Sequence, residues 1–114
     1  MSVARLKTLG SVVVTTAGTP VKVFQNASFP NGIPKITSVL IRGLTANTGL
    51  IYVGDANVDA GADIGDRLTA NSSRGYSGYN QNAGGTMLFD VDNLYIDASV
   101  SGEGADIAYI EVTY

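Results

Sequence analysis

"NTGLIYVGD", Asn47 to Asp55, sets a short apolar run between two turns. Asn47 and Gly49 supply turn chemistry at the entry and Gly54-Asp55 at the exit, while alternate residues of Leu50–Val53 can face two packed sheets. A strand this short and this tightly framed belongs to a scaffold. Chemistry would need polar residues converging on a cavity, and here the polar residues are used in turns.

The same grammar extends in both directions. No stretch of ten or more residues keeps a helical period, and β-branched and aromatic residues cluster in short runs bounded by Gly, Pro, Asn and Asp. Strands are expected near Ser11–Thr16, Val21–Gln25, Ile36–Arg42, Leu50–Val53, Thr86–Val91, Leu94–Ala98 and Asp106–Thr113. "AGTP" (Ala17–Pro20), "PNGIP" (Pro30–Pro34) and "VDN" (Val91–Asn93) supply the turns between them. In the last strand Ile107, Tyr109, Glu111 and Thr113 alternate with Ala108, Ile110, Val112 and Tyr114, which argues for an inner strand with at least one buried face. The expected fold is an all-β, single-domain antiparallel β-sandwich, jelly-roll-like, over residues 11–114, preceded by an extended N-terminal arm, residues 1–10.

Composition narrows the function. The chain of 114 residues is 45% hydrophobic and 15% charged, ordinary for one folded core. It contains no Cys and no His, so thiolate metal sites, disulfides, and Ser-His-Asp, Cys-His or HExxH chemistry are excluded. The apolar run near the N-terminus, Val12–Val14, is too short for a signal-peptide core or a membrane span, so assembly in a cytoplasm is expected. No P-loop, GxSxG or GxGxxG occurs, and the sequons at Asn26 and Asn71 have no role without secretion.

The net charge of -3 is unevenly distributed. Arg5, Lys7, Lys22, Lys35 and Arg42 precede the first acid, Asp55, after which Arg67 and Arg74 stand against all ten acids. Two outcomes follow from that division. Either the molecule has opposed basic and acidic faces, or its strands interleave the two halves and erase the polarity.

Four stretches are candidate sites. In "DANVDAGADIGD", Asp55, Asn57, Asp59, Asp63 and Asp66 fall at oxygen-ligand positions of a calcium loop, but Ala60 replaces the turn glycine and Asp66 the bidentate Glu. A solvated Asx-rich loop is the expected state and Ca²⁺ the alternative. "ANSSRGYSGYNQNAGG", residues 70–85, reads as a long loop of low hydrophobicity, in which Arg74, Tyr76, Tyr79 and Asn80 have the vocabulary of an adaptable recognition surface. Its competing reading is a loop ordered only against a neighbouring subunit, or not at all. Arg5, Leu6 and Lys7 give the N-terminal lead two alternate charges, too few for nucleic acid and better suited to docking on an acidic protein. Asp90, Asp92 and Asp97 lie close in sequence, as a glycosidase pair would, though solubility and capping suit them better.

Taken together, "VTTAGTPVKVF" (Val14–Phe24), "SVLIRGLTANTGLIYVGD" (Ser38–Asp55) and "DNLYIDASVSGEGADIAYI" (Asp92–Ile110) resemble the small virion proteins of tailed bacteriophages. The resemblance covers most of the chain, but neither the lead nor residues 56–85. It implies a capsid decoration (cement) protein: a small β-sandwich or jelly roll, usually a homotrimer, bound outside the head where major capsid subunits meet. No catalytic residues carry over. The expectation is a structural virion protein, not an enzyme, without cofactor, nucleic-acid or membrane partner, with Arg5, Leu6 and Lys7 meeting the major capsid protein. The alternative is a tail or head-fibre recognition module that holds a host glycan or another virion protein through the Tyr-rich loop.

Overall fold

In the computed structural model, which describes residues 3–59, 65–80 and 85–113, the apolar runs become strands and the Gly-, Pro- and Asx-rich joints become turns. The strands are β1 (Val3–Val13), β2 (Val21–Lys22), β3 (Ile36–Gly43), β4 (Ile51–Gly54), β5 (Asp66–Leu68), β6 (Ser73–Asn80), β7 (Gly85–Met87), β8 (Tyr95–Ala98) and β9 (Gly104–Thr113). Single 3₁₀ turns at Asn26–Ser28 and Val91–Asn93 interrupt the connections, and the described residues contain no α-helix.

The pairing follows from one operation. β1 pairs with β9, β2 with β8, β3 with β6 and β4 with β5, all antiparallel, as in one long hairpin whose tip is the β4–β5 connection. That hairpin is rolled, so that β3 also pairs with β9 and β4 with β8. The result is a five-stranded sheet in the order β1-β9-β3-β6-β7 and a four-stranded sheet in the order β2-β8-β4-β5.

Rolling a hairpin lays the basic first half of the chain on the acidic second half, strand by strand. Lys22 reaches Asp92 at 3.2 Å and Arg42 reaches Asp106 at 3.8 Å. Across β1 and β9, Arg5 stands directly opposite Glu111. Cross-strand opposite charges favour this register, each by a fraction of a kcal/mol, so the segregation along the sequence becomes interleaving in space.

The core forms between the sheets. Ile36, Val39, Ile41, Ala105, Ile107 and Tyr109 come from the larger sheet, and Ile51, Val53, Leu68, Ile96 and Ala98 from the smaller. Phe24 closes it, with its ring edge-on to Tyr109 (centroids 5.3 Å apart) and stacked near Phe29 (6.1 Å). β9 is an inner strand, as its alternation implies: Ala105, Ile107 and Tyr109 are buried, and the residues between them are half-covered.

Two sequence expectations are overturned. The lead is no free arm, because β1 stays in register with β9 from Val3 opposite Thr113 to Val13 opposite Gly104, with one bulge between Thr8 and Gly10. Its residues looked unlike a strand because an edge strand exposed on both sides needs few apolar residues. The second correction concerns residues 70–85. Ser73–Arg74–Gly75–Tyr76–Ser77 pair with Arg42 to Ser38 of β3, and the end of β6 pairs with β7, so a ladder occupies most of the expected loop. Backbone hydrogen bonds to a buried neighbour supply what side-chain hydrophobicity does not.

Candidate functional site

The outer face of the larger sheet, with the N-terminal half of β1 at its edge, carries the exposed apolar side chains Leu6 and Leu40. Strand alternation divides the docking candidates. Leu6, 70% exposed, lies opposite Ile110 on the outer face, where a shallow groove runs past Leu6, Ser38, Leu40, Gly75, Ala108 and Ile110. Arg5 and Lys7 project to the other side, where Lys7 borders a second groove with Phe29, Pro30, Tyr109 and Glu111. The three residues do not form one patch. They give the strand an apolar side and a cationic side.

The outer face is flat and nearly uncharged. Its rows, read from the registers, place Leu6, Ile110, Ser38 and Ser77 side by side, then Thr8, Ala108, Leu40 and Gly75, then Ser11, Asp106, Arg42 and Ser73. The charges in these rows belong to the Arg42–Asp106 pair. Leu40, 46% exposed, and Leu6 line the same groove from either side of Ala108 and Ile110, so apolar surface is contiguous here.

At the opposite edge, the recognition and calcium candidates meet each other. The Tyr76 hydroxyl donates to Asp66 Oδ2 at 2.9 Å, and Arg74 lies 3.5 Å from Asp66 Oδ1. Burial, and then the Asp66 carboxylate, pushes the Tyr76 phenol far above its ordinary range. The Tyr76 ring packs partly against the core. Its hydroxyl ties β6 to β5. Asp66 has both oxygens engaged, since Oδ1 also accepts from the Arg67 amide. Asp55 Oδ1 accepts from the Asn57 amide, closing an Asx turn as the loop reading expects. Asp59 is among the described residues, whereas Asp63 and the Ala60 position lie outside them, as do the side chains of Tyr79 and Asn80. Among the described residues no group of three or more acidic side chains is arranged to hold a metal.

The adjacent carboxylates are likewise dispersed. Asp90 accepts from the Asp92 amide at 3.2 Å, Asp92 pairs with Lys22, and Asp97 is fully buried beneath the β1–β2 connection, bound by the Gly18 amide at 2.9 Å. Asp97 therefore serves neither solubility nor a catalytic pair. It tethers a loop.

The motifs that carry the phage resemblance converge at one end of the sandwich and bind one another. Glu103 accepts from the amides of Thr48 (2.7 Å) and Gly49 (2.9 Å) and from the Thr48 hydroxyl (2.9 Å). The Asn47 amide donates to the Gly104 carbonyl at 2.8 Å, and the Ser99 hydroxyl accepts from the Leu50 amide at 2.8 Å. A side chain at residue 104 would meet the Val12 carbonyl, so only glycine admits this approach of β9 to β1. "NTG" and "GEG" are thus two halves of one brace between the β3–β4 and β8–β9 connections. Sequence reading had assigned Asn47 and Gly49 to a turn and missed their partner. The available signal was Glu103, an acid beside two glycines with no basic neighbour.

The two Thr48 and Gly49 amide bonds hold the Glu103 carboxyl below the usual carboxylate range. A depressed folded pKa contributes stability that is complete above the unfolded glutamate value and disappears as pH falls through the folded one. Glu103→Gln should therefore melt below the wild type near neutrality, with the gap closing under acid conditions. Paired thermal melts across a pH series test this, and a gap independent of pH would refute it.

Comparison with known proteins adds no identity: no family model, no curated protein and no solved structure matches this chain.

Proposed function

We propose that this protein is a structural component of a tailed-bacteriophage virion, a jelly-roll decoration protein that cements the outer head shell by binding the major capsid protein as a homotrimer. The strand order supports the jelly-roll reading. Setting β7 aside, the sheets run β1-β9-β3-β6 and β2-β8-β4-β5, the winding of one long hairpin rolled into two Greek keys, an architecture common in viral capsid domains. The observation that carries the docking assignment is β1, an eleven-residue edge strand whose Arg5 and Lys7 stand on an otherwise acidic domain. Cementing is mechanical: a ligand that binds only the assembled shell stabilises it by mass action.

The fold changes the test. Deleting residues 2–10 would strip the ladder from β9, so lost capsid binding could reflect a damaged sheet. Replacing Arg5 and Lys7 together with Ser leaves the backbone pairing intact. In a pull-down on bare capsids, with bound copies counted per shell, this variant is expected to bind at least about tenfold more weakly, ~1.4 kcal/mol. Undiminished binding by a folded double variant would remove β1 from the contact. Light scattering of the free protein tests the trimer.

A further inference from the structure

The larger sheet ends in β1, and no backbone–backbone bond outside the β9 ladder involves Val3–Val13 among the described residues. In an antiparallel pair every second residue of an edge strand turns its N–H and C=O away from its neighbour. The strands at the other edges are short, since β2 has 2 residues and β5 and β7 have 3 each, although β7 covers only Gly78–Asn80 of β6. β1 has 11, and its bulge between Thr8 and Gly10 interrupts only the half nearer the core. Val3–Thr8 is an open edge.

We infer that this edge accepts an extended segment of a partner protein as an added strand, and that the segment alternates acidic and apolar residues. The alternation is set by β1 itself. Arg5 and Lys7 lie on one side, where Glu111 is the nearby acid on β9, which leaves an excess of positive charge. Carboxylates at alternate positions of an added strand would stand opposite these cations. Leu6, with Ala4, lies on the other side, so the intervening residues should be apolar and extend the cover over Leu6 and Ile110. Main-chain hydrogen bonds supply affinity and the alternating side chains supply specificity, as in other strand-addition complexes.

A second copy of β1 offers this edge no carboxylate, since Val3–Val13 contains no acid. An antiparallel twofold pairing centred on Leu6 would set Arg5 against Lys7 of the other copy, which is unfavourable for directly opposed like charges. Within the chain, the acid–apolar run Asp106–Val112 is already paired in β9, and Asp90-Val91-Asp92 is held in a 3₁₀ turn with Val91 buried. The occupant is therefore another protein. This deepens the docking reading and rests on it only for which protein supplies the segment.

The test uses the whole chain and end-capped synthetic peptides of about eight residues, a length that spans the open edge. One alternates Glu and Val, one alternates Lys and Val, and two further Glu/Val peptides carry backbone N-methyl groups at every second residue in opposite phases. Amide chemical shifts of the labelled protein report binding residue by residue. The Glu/Val peptide should perturb Val3–Thr8 and the facing β9 residues. Binding should weaken at least about tenfold in the Arg5→Ser, Lys7→Ser double variant and with the Lys/Val peptide. One phase of N-methylation should abolish it while the other leaves it intact. Equal loss or equal retention for both phases would overturn strand addition, as would binding of both charge types alike. The inference also fails if millimolar Glu/Val peptide leaves β1 unperturbed while the double variant self-associates, because Arg5 and Lys7 would then be guards against edge-to-edge pairing. Peptide binding without capsid binding would refute the virion assignment alone, and capsid binding that the peptide neither mimics nor competes with would refute this inference alone.

Discussion

Phe24→Ala is expected to lower the free energy of unfolding by about 3–5 kcal/mol, the range found when a fully buried phenylalanine is truncated. Phe24 is 0% exposed and forms a three-ring cluster with Phe29 and Tyr109, so its removal forfeits transfer free energy, an edge-on aromatic contact and packing between the β2 connection and β9. Against a total stability of about 5–15 kcal/mol for a domain of this kind, that loss brings unfolding close to ambient conditions. Phe24→Leu keeps most of the volume and should cost about half as much or less. Urea titrations of the three proteins measure both differences. A Phe24→Ala loss below about 1 kcal/mol would mean that Phe29 and Tyr109 collapse into the space, and that Phe24 does not close the core.

Asp97→Ala is expected to cost about 3 kcal/mol, because it deletes the hydrogen bonds from the Gly18 and Ala98 amides and strands those donors. Oδ1 accepts from Gly18 N at 2.9 Å and from Ala98 N at 2.8 Å, with Asp97 and Ala98 both fully buried. Asp97→Asn retains an oxygen acceptor of nearly the same shape and should recover a substantial part of the loss. The alanine variant should also free the β1–β2 connection, so limited proteolysis is expected to cleave around residues 15–20 before the rest of the chain opens. Equal stability of the Ala and Asn variants would show that the oxygen acceptor kept by Asn contributes nothing, and would refute the tether. Uniform proteolysis would show that the tether does not hold the loop.

Both predictions come from residues that a reading for function would pass over or misassign. Asp97 resembles half of a catalytic pair in sequence, and becomes a loop tether once Gly18 is seen above it. Tyr76 and Arg74 have recognition chemistry, and both reach Asp66 of β5, a partner that the local sequence does not reveal. The common theme is satisfaction of buried or crowded polar groups, which depends on neighbours distant in sequence. Glu103 and Thr48 lie 55 residues apart, and no local window could join them.

Local pattern is enough to specify the all-β class, the strands expected at Ile36–Arg42, Leu50–Val53, Leu94–Ala98 and Asp106–Thr113 to within two residues at each start, and the inner position of β9, because side-chain alternation and turn residues are local consequences of backbone geometry. Composition also excludes thiol and imidazole chemistry, since those residues are absent. Strand pairing across the whole fold is what makes the lead an edge strand, makes "SRGYSGYN" β6, and sets Arg5 and Lys7 on the side of β1 away from Leu6. The physical reason is the same for each. A strand with few apolar residues is held by hydrogen bonds to whichever strand lies beside it, and that neighbour is chosen by the rolling of the whole chain.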